Sequence, residues 1–139
     1  MRLTGKGRYA VTAMLELAVH GEDKAVSLAA ISEKHEISLS YLEQLFAALR
    51  KKKLVKGLRG PGGGYFLAKA TDKITVGDII CAVDEWVATN LCKKKKNKAK
   101  KEITQELWDN VSRDIFDFVS NITLADILKK QKKTKKKTK

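Results

Sequence analysis

Apolar residues in this chain first follow a helical period, then form short unbroken runs around a glycine cluster, and finally return to helical spacing. Tyr9, Ala10, Ala13, Met14, Leu17 and Ala18 fall on one side of a helix predicted over roughly residues 6–20. Ser27 is placed to cap a second helix in which Leu28, Ile31 and His35 lie near one face. Glu36, Ile37 and Ser38 then make a short turn, the spacing of a helix-turn-helix. In the following helix Leu42, Leu45, Phe46 and Leu49 form the buried stripe, which leaves Ser40, Glu43, Gln44 and Ala47 on a small, polar, opposite face. The runs Leu54–Leu58 and Tyr65–Ala68 flank the turn Arg59-Gly60-Pro61-Gly62-Gly63-Gly64, which predicts a β-hairpin.

Beyond the hairpin, Thr75 and Asp78 have capping-box spacing and open a helix that runs to about Asp84. Thr104 is placed to cap a long helix with a wide apolar stripe of Leu107, Trp108, Val111, Ile115, Phe118 and Val119. A lone helix that apolar calls for a partner surface. Thr123 with Asp126 starts a last short helix, Leu124–Leu128. The pattern therefore predicts a mainly α fold with a small β-hairpin, a winged helix-turn-helix followed by a long helix that seeks a partner surface. Its divisions are a winged module over 1–85, a lysine-rich loop over 86–103, the long helix and short helix over 104–128, and a disordered basic tail over 129–139.

At 139 residues the chain is long enough for one domain with a real core and an appended element. No apolar stretch approaches the roughly 18–20 residues of a membrane helix. The run from Tyr9 to Val19, preceded by Arg2, Lys6 and Arg8, mimics a signal peptide, but Glu16 interrupts it. It reads as an amphipathic first helix, and the protein as cytoplasmic. The net charge of +13 is concentrated in the N-terminal module and in the runs KKKKNKAKK and KKQKKTKKKTK, whereas 71–92 and 102–128 are net acidic. Such runs fit either a solvated composition or non-specific phosphate contact. Cys81 and Cys92 are too few for a disulfide scaffold, so reduced thiols are expected. Cys81 reads as a small residue in an apolar helix. Cys92 reads as an idle residue or, among its lysine neighbours, a reactive thiol.

The exposed face of the third helix has the chemistry for reading base edges. Glu43 can accept from cytosine N4, Gln44 can pair with adenine N6 and N7, and Ser40 can donate or accept. The competing reading is structural, because Ser40 and Glu43 also have capping-box spacing. Arg50, at the end of this helix with Lys51, Lys52 and Lys53, is within reach of phosphates. Arg59 begins the glycine-proline turn, where a wing arginine can enter a narrow minor groove or stand idle as an ordinary hairpin residue. The glycines lack the following Gly-Lys-Ser/Thr and the βαβ setting of a nucleotide-binding loop, and no nucleophile with a base can be named. An enzyme is the least expected class.

The segments MRLTGKGRYAVTAMLELA, ISLSYLEQLFAALRKKKLV, RGPGGGYFLAK, ITVGDIICAVDE and LWDNVSRDIFDFVSNITLADIL resemble the IscR family of bacterial iron–sulfur cluster regulators. The resemblance implies a cytoplasmic, sequence-specific regulator that binds double-stranded DNA as a homodimer, with the long helix of each subunit packed on the other. It implies a base-reading helix with Ser40, Glu43 and Gln44, a backbone contact from Tyr41, minor-groove contact from the wing residue Arg59, and further DNA contacts at Leu39, Gly60 and Pro61. It also implies a [2Fe–2S] cluster held by three cysteines and a histidine. Here only Cys92 matches a ligand position, the loop KKKKNKAKKEITQ has no further cysteine, and Gln105 stands where the histidine falls. One thiolate cannot supply a four-ligand cluster. The expectation is a regulator with no metal site or cofactor. The alternatives are an iron or redox sensor using an unusual cluster or thiol at Cys92, and a low-specificity nucleoid-type binder.

Overall fold

The structure, a computed structural model, describes residues 5–21, 24–60, 63–92 and 103–137, with side chains to residue 131. Helix α1 spans Gly5–His20, α2 Leu28–His35 and α3 Leu39–Lys51. Strands β1 (Val55–Leu58) and β2 (Gly64–Leu67) pair antiparallel, with Val55 opposite Leu67 and Leu58 opposite Gly64. After a 3-10 turn come α4 (Val76–Val83), a single turn α5 (Glu85–Val87), a π-helical turn over Ala88–Cys92, α6 (Ile103–Ser120) and α7 (Leu124–Lys137).

One core joins these elements. Ala10, Ala13, Met14 and Leu17 of α1 meet Ile31 of α2, the whole Leu42, Leu45, Phe46, Leu49 stripe of α3, and Ile79 and Val83 of α4. Phe46 is fully buried and its ring packs 4.8 Å from that of Tyr65 on β2. Full burial of side chains of this size is worth about 1.5–3 kcal/mol each, so α3 is held by its inner stripe and its outer face is free of packing duty.

The wing is tied down at its root. Val26 and Tyr65 exchange backbone hydrogen bonds of 3.0 and 2.9 Å, so the segment before α2 pairs with β2. Gly64 permits this approach, since a Cβ there would collide with the Val26 carbonyl. At the tip Gly60 has φ +103° with open space around it, a conformation that costs glycine little.

At the C-terminal end, Thr75 and Asp78 form the reciprocal capping box expected of them, with hydrogen bonds of 3.0 and 3.1 Å. Thr123 and Asp126 repeat it at α7, and the hydrogen bonds from the Thr123 backbone and side chain hold the Asp126 carboxyl below its ordinary range. The two caps lie side by side: Val76 N–H donates to the Ile122 carbonyl at 2.8 Å and Leu124 N–H to the Ile74 carbonyl at 3.0 Å. Leu124 is fully buried in the common core, so α7 is anchored to the N-terminal module.

Four local expectations are corrected. The C-terminal helix does not stop at Leu128 but runs to Lys137, because lysine and glutamine are good helix formers and cations suit a helix C-terminus. The tail expected to be disordered from 129 is thus helical over most of its length. The long helix already includes Thr104, which therefore does not cap it. Within the expected loop, residues 86–92 are helical turns, started by the buried Asp84 carboxylate accepting from Val87 N–H at 3.2 Å. Residues 93–102, the rest of that loop, lie outside the described residues.

Candidate nucleic-acid interface

The turn between α2 and α3 decides what α3 presents. Helix α2 ends at Glu36, whose left-handed φ of 55° lets the next N–H, that of Ile37, return to the Ser32 carbonyl at 3.2 Å. Ile37 is buried, and Ser38 then caps α3, its hydroxyl accepting from Tyr41 N–H at 3.4 Å and sharing a 3.0 Å hydrogen bond with the Ser40 hydroxyl. The capping residue is thus Ser38, and Ser40 lies inside the helix. The capping-box reading of Ser40 and Glu43 is excluded, and Glu43 has no structural employment at the helix start. Two serines compete for the cap within Ser38-Leu39-Ser40, no local signal separates them, and only the fixed turn selects Ser38.

Ser40, Glu43, Gln44 and Ala47 are all exposed, along the side of α3 opposite its buried stripe. Leu39 is exposed at the start of the helix and Arg50 at its end. Tyr41 is half-buried, packed edge-on against Tyr9 with ring centroids 5.8 Å apart. Burial and the neighbouring Tyr9 raise its pKa, so the phenol keeps its proton and is available as a donor. Helix α3 closes with Lys53 at φ 60°, Lys53 N–H reaching the Arg50 carbonyl at 3.0 Å and Leu54 N–H the Leu49 carbonyl at 3.1 Å. This closure turns the chain directly into β1. Lys51, Lys52, Lys53, Lys56 and Arg59 are exposed around the junction, and Gly60 is exposed at the wing tip. Pro61 lies outside the described residues.

A buried carboxylate fixes α2 against α1. Glu16 is 8% exposed, and it accepts from Lys34 Nζ at 2.8 Å and His35 Nε2 at 2.9 Å, with His20 Nε2 3.5 Å away. Burial pushes the Glu16 carboxyl up, but the hydrogen bonds and charges of Lys34 and His35 outweigh it and leave it below the ordinary range. Because this folded-state pKa is depressed, its stabilisation is present above the unfolded value near 4.5 and is lost as pH falls through the folded value. Glu16→Gln is therefore expected to cost about 1–2 kcal/mol at pH 7, a figure discounted for the exposed lysine. Urea unfolding at pH 7 and at pH 3 checks this, because the deficit should shrink in acid.

The cysteines are not the reduced thiols expected. Cys81 of α4 and Cys92 at the end of the π-helical turn are joined in a disulfide, since the helical turns after α4 fold the chain back over it. Gln105 is exposed on α6, and both histidines are occupied at Glu16.

A short helix and a capped second helix with a polar outer face, followed by a two-stranded wing flanked by cations, define a winged-helix DNA-binding protein. A family model described as Rrf2, "Iron-dependent Transcriptional regulator", matches residues 3–130. The HTH-type transcriptional regulator IscR of Erwinia tasmaniensis is 55% identical over 133 residues, covering 94% of this chain and 81% of that protein. IscR of Yersinia pseudotuberculosis is 53% identical with the same coverage. Among solved structures, T. potens IscR superposes with a TM-score of 0.74 at 40% identity, covering 94% of this chain and 88% of its own. CymR (YrzC), the global cysteine regulator of B. subtilis, gives 0.73 at 33% identity, covering 91% and 95%. The chain belongs to the Rrf2 family and is a transcription regulator of the IscR type.

Proposed function

We propose that this regulator reads specific operators as a homodimer in the cytoplasm and does so without an iron–sulfur cluster. Helix α3 enters the major groove with Ser40, Glu43 and Gln44 toward base edges, while Leu39, Tyr41 and Arg50 meet the backbone alongside. Arg59, at the wing with Gly60 and Pro61, reaches the adjacent minor groove, where the negative potential is greatest. The observation that carries this reading is the Ser38 cap, which leaves Glu43 exposed beside Ser40 and Gln44. A carboxylate on a phosphate-facing surface is repelled unless a base donor compensates it, so Glu43 is there to select. It also argues against an indiscriminate binder.

The homodimer is supported by the outer side of α6. Ile103 is 89% exposed, Leu107 55%, Trp108 59% and Phe118 70%, which is too much apolar surface to leave in water. The donor set supports cluster-free operation. Cys92 supplies at most one ligand, Gln105 is no iron ligand, and the residues between them include neither cysteine nor histidine. A [2Fe–2S] centre does not fit these residues.

Selection of binding sites from random duplex DNA, repeated with Glu43→Ala, tests the reading. The variant is expected to lose about 1–3 kcal/mol of discrimination at a cytosine position while its salt dependence stays unchanged. Unaltered base preference would remove Glu43 from the interface.

A further inference from the structure

The Cys81–Cys92 pair is not part of the DNA-facing surface, and it occupies a place with consequences. The two Cα atoms are 6.3 Å apart, inside the span of about 4.4–6.8 Å that a disulfide accepts, so the bond closes without backbone movement. Cys92 is exposed and Cys81 partly so, which leaves the sulfurs open to a small reagent. They border a cavity of about 320 Å³ lined also by Lys52, Leu54, Lys69 and Asp78. Lys52 and Leu54 belong to the junction of α3 with β1, and Lys69 follows β2, so the pair sits beneath the root of the wing. Lys52 and Lys69 are the cations of that lining and Asp78 its anion.

We propose that Cys81 and Cys92 are a reversible dithiol–disulfide couple, oxidised by low-molecular-weight disulfides, that adjusts the affinity of this regulator for DNA. The couple stands on the cysteine geometry alone; its effect on DNA rests on the operator-reading assignment above. In the oxidation, the Cys92 thiolate attacks one sulfur of a disulfide RSSR, forming the mixed disulfide Cys92–S–SR and releasing RS⁻, which takes up a proton. Cys81, deprotonated to solvent, then attacks Cys92 Sγ and expels the second RS⁻. Two protein thiols and one RSSR become one protein disulfide and two RSH, with two electrons passing from protein sulfur to the reagent.

The bond fastens the end of the turn Ala88–Cys92 onto α4, and α4 packs against α1, α3 and α6. In the oxidised form the turn is therefore fixed to the same element that backs α3. Reduction releases the turn and leaves Val87 as the buried apolar anchor of that segment. The oxidised form is the better preorganised and binds its operator more tightly, by about fivefold or more, the lower end of ordinary coupling between sites.

The test holds the full chain in glutathione buffers of graded reduced-to-oxidised ratio and takes two readouts. Mass tagging of free thiols is expected to pass from two tags to none in one two-electron step, with no covalent link between protomers. Affinity for a duplex selected from random sequence is expected to be at least about fivefold higher in the oxidised form, and that difference should vanish in Cys81→Ser. Thiols that stay free in oxidised glutathione, or a bond that forms between protomers instead, overturn the couple. A complete thiol transition with unchanged affinity overturns the regulatory half. Loss of sequence-selective binding in both redox forms, with the thiol transition intact, counts against the operator reading, and the regulatory half falls with it while the couple stands.

Discussion

Phe46→Ala is expected to lower the free energy of unfolding by about 3–5 kcal/mol, enough to unfold much of a domain of ordinary marginal stability. The side chain is fully buried where α1, α3 and the hairpin meet, and its ring packs on Tyr65. Removing it takes out the transfer free energy and leaves a cavity against the strand whose backbone is paired with Val26. Because the same residue backs both the recognition helix and the wing, DNA binding should fall with stability. Equilibrium denaturation checks the first effect, and fluorescence anisotropy on a selected duplex at low temperature checks the second. A loss below about 1 kcal/mol would mean that this site repacks freely, contrary to the usual cost of truncating a buried phenylalanine.

The second large effect concerns α6. For the homodimer proposed above, Leu107→Glu combined with Trp108→Glu is expected to abolish dimerisation and lower operator affinity by about 100-fold or more, since two linked copies of α3 would bind as one bivalent ligand. Both side chains are more than half exposed in the protomer, so the substitutions should leave monomer folding intact. Analytical ultracentrifugation together with circular dichroism separates the two outcomes. A folded variant that remains dimeric would move the interface off this face.

Much of this protein was legible in its sequence because the signals are local. The period of Leu42, Leu45, Phe46 and Leu49 determined which face of α3 is buried, and every residue assigned to its outer face is exposed. The hairpin followed from two apolar runs around a glycine turn, and the capping box of Thr75 with Asp78 was found as expected. The family followed from motif order.

What the sequence left open depends on residues that are distant along the chain or on a choice between equivalent neighbours. Ser38 and Ser40 are chemically the same cap, and only the left-handed turn at Glu36, with Ile37 sunk in the core, places one of them at the helix start. That choice frees Glu43 from structure. Glu16 interrupts an apolar run for a reason that lies on another helix, in Lys34 and His35. Composition argued for two reduced thiols, while the helical turns after α4 bring Cys92 back onto Cys81.

The sequence by itself determined the helices and hairpin of the N-terminal module, the buried face of α3 and the order that makes a winged helix, because hydrophobic period and turn chemistry act over a few residues. Tertiary structure alone decided which serine caps, which carboxylate is held and which is free, and which sulfurs meet. Those outcomes depend on distances set by packing between elements, and no local pattern encodes them.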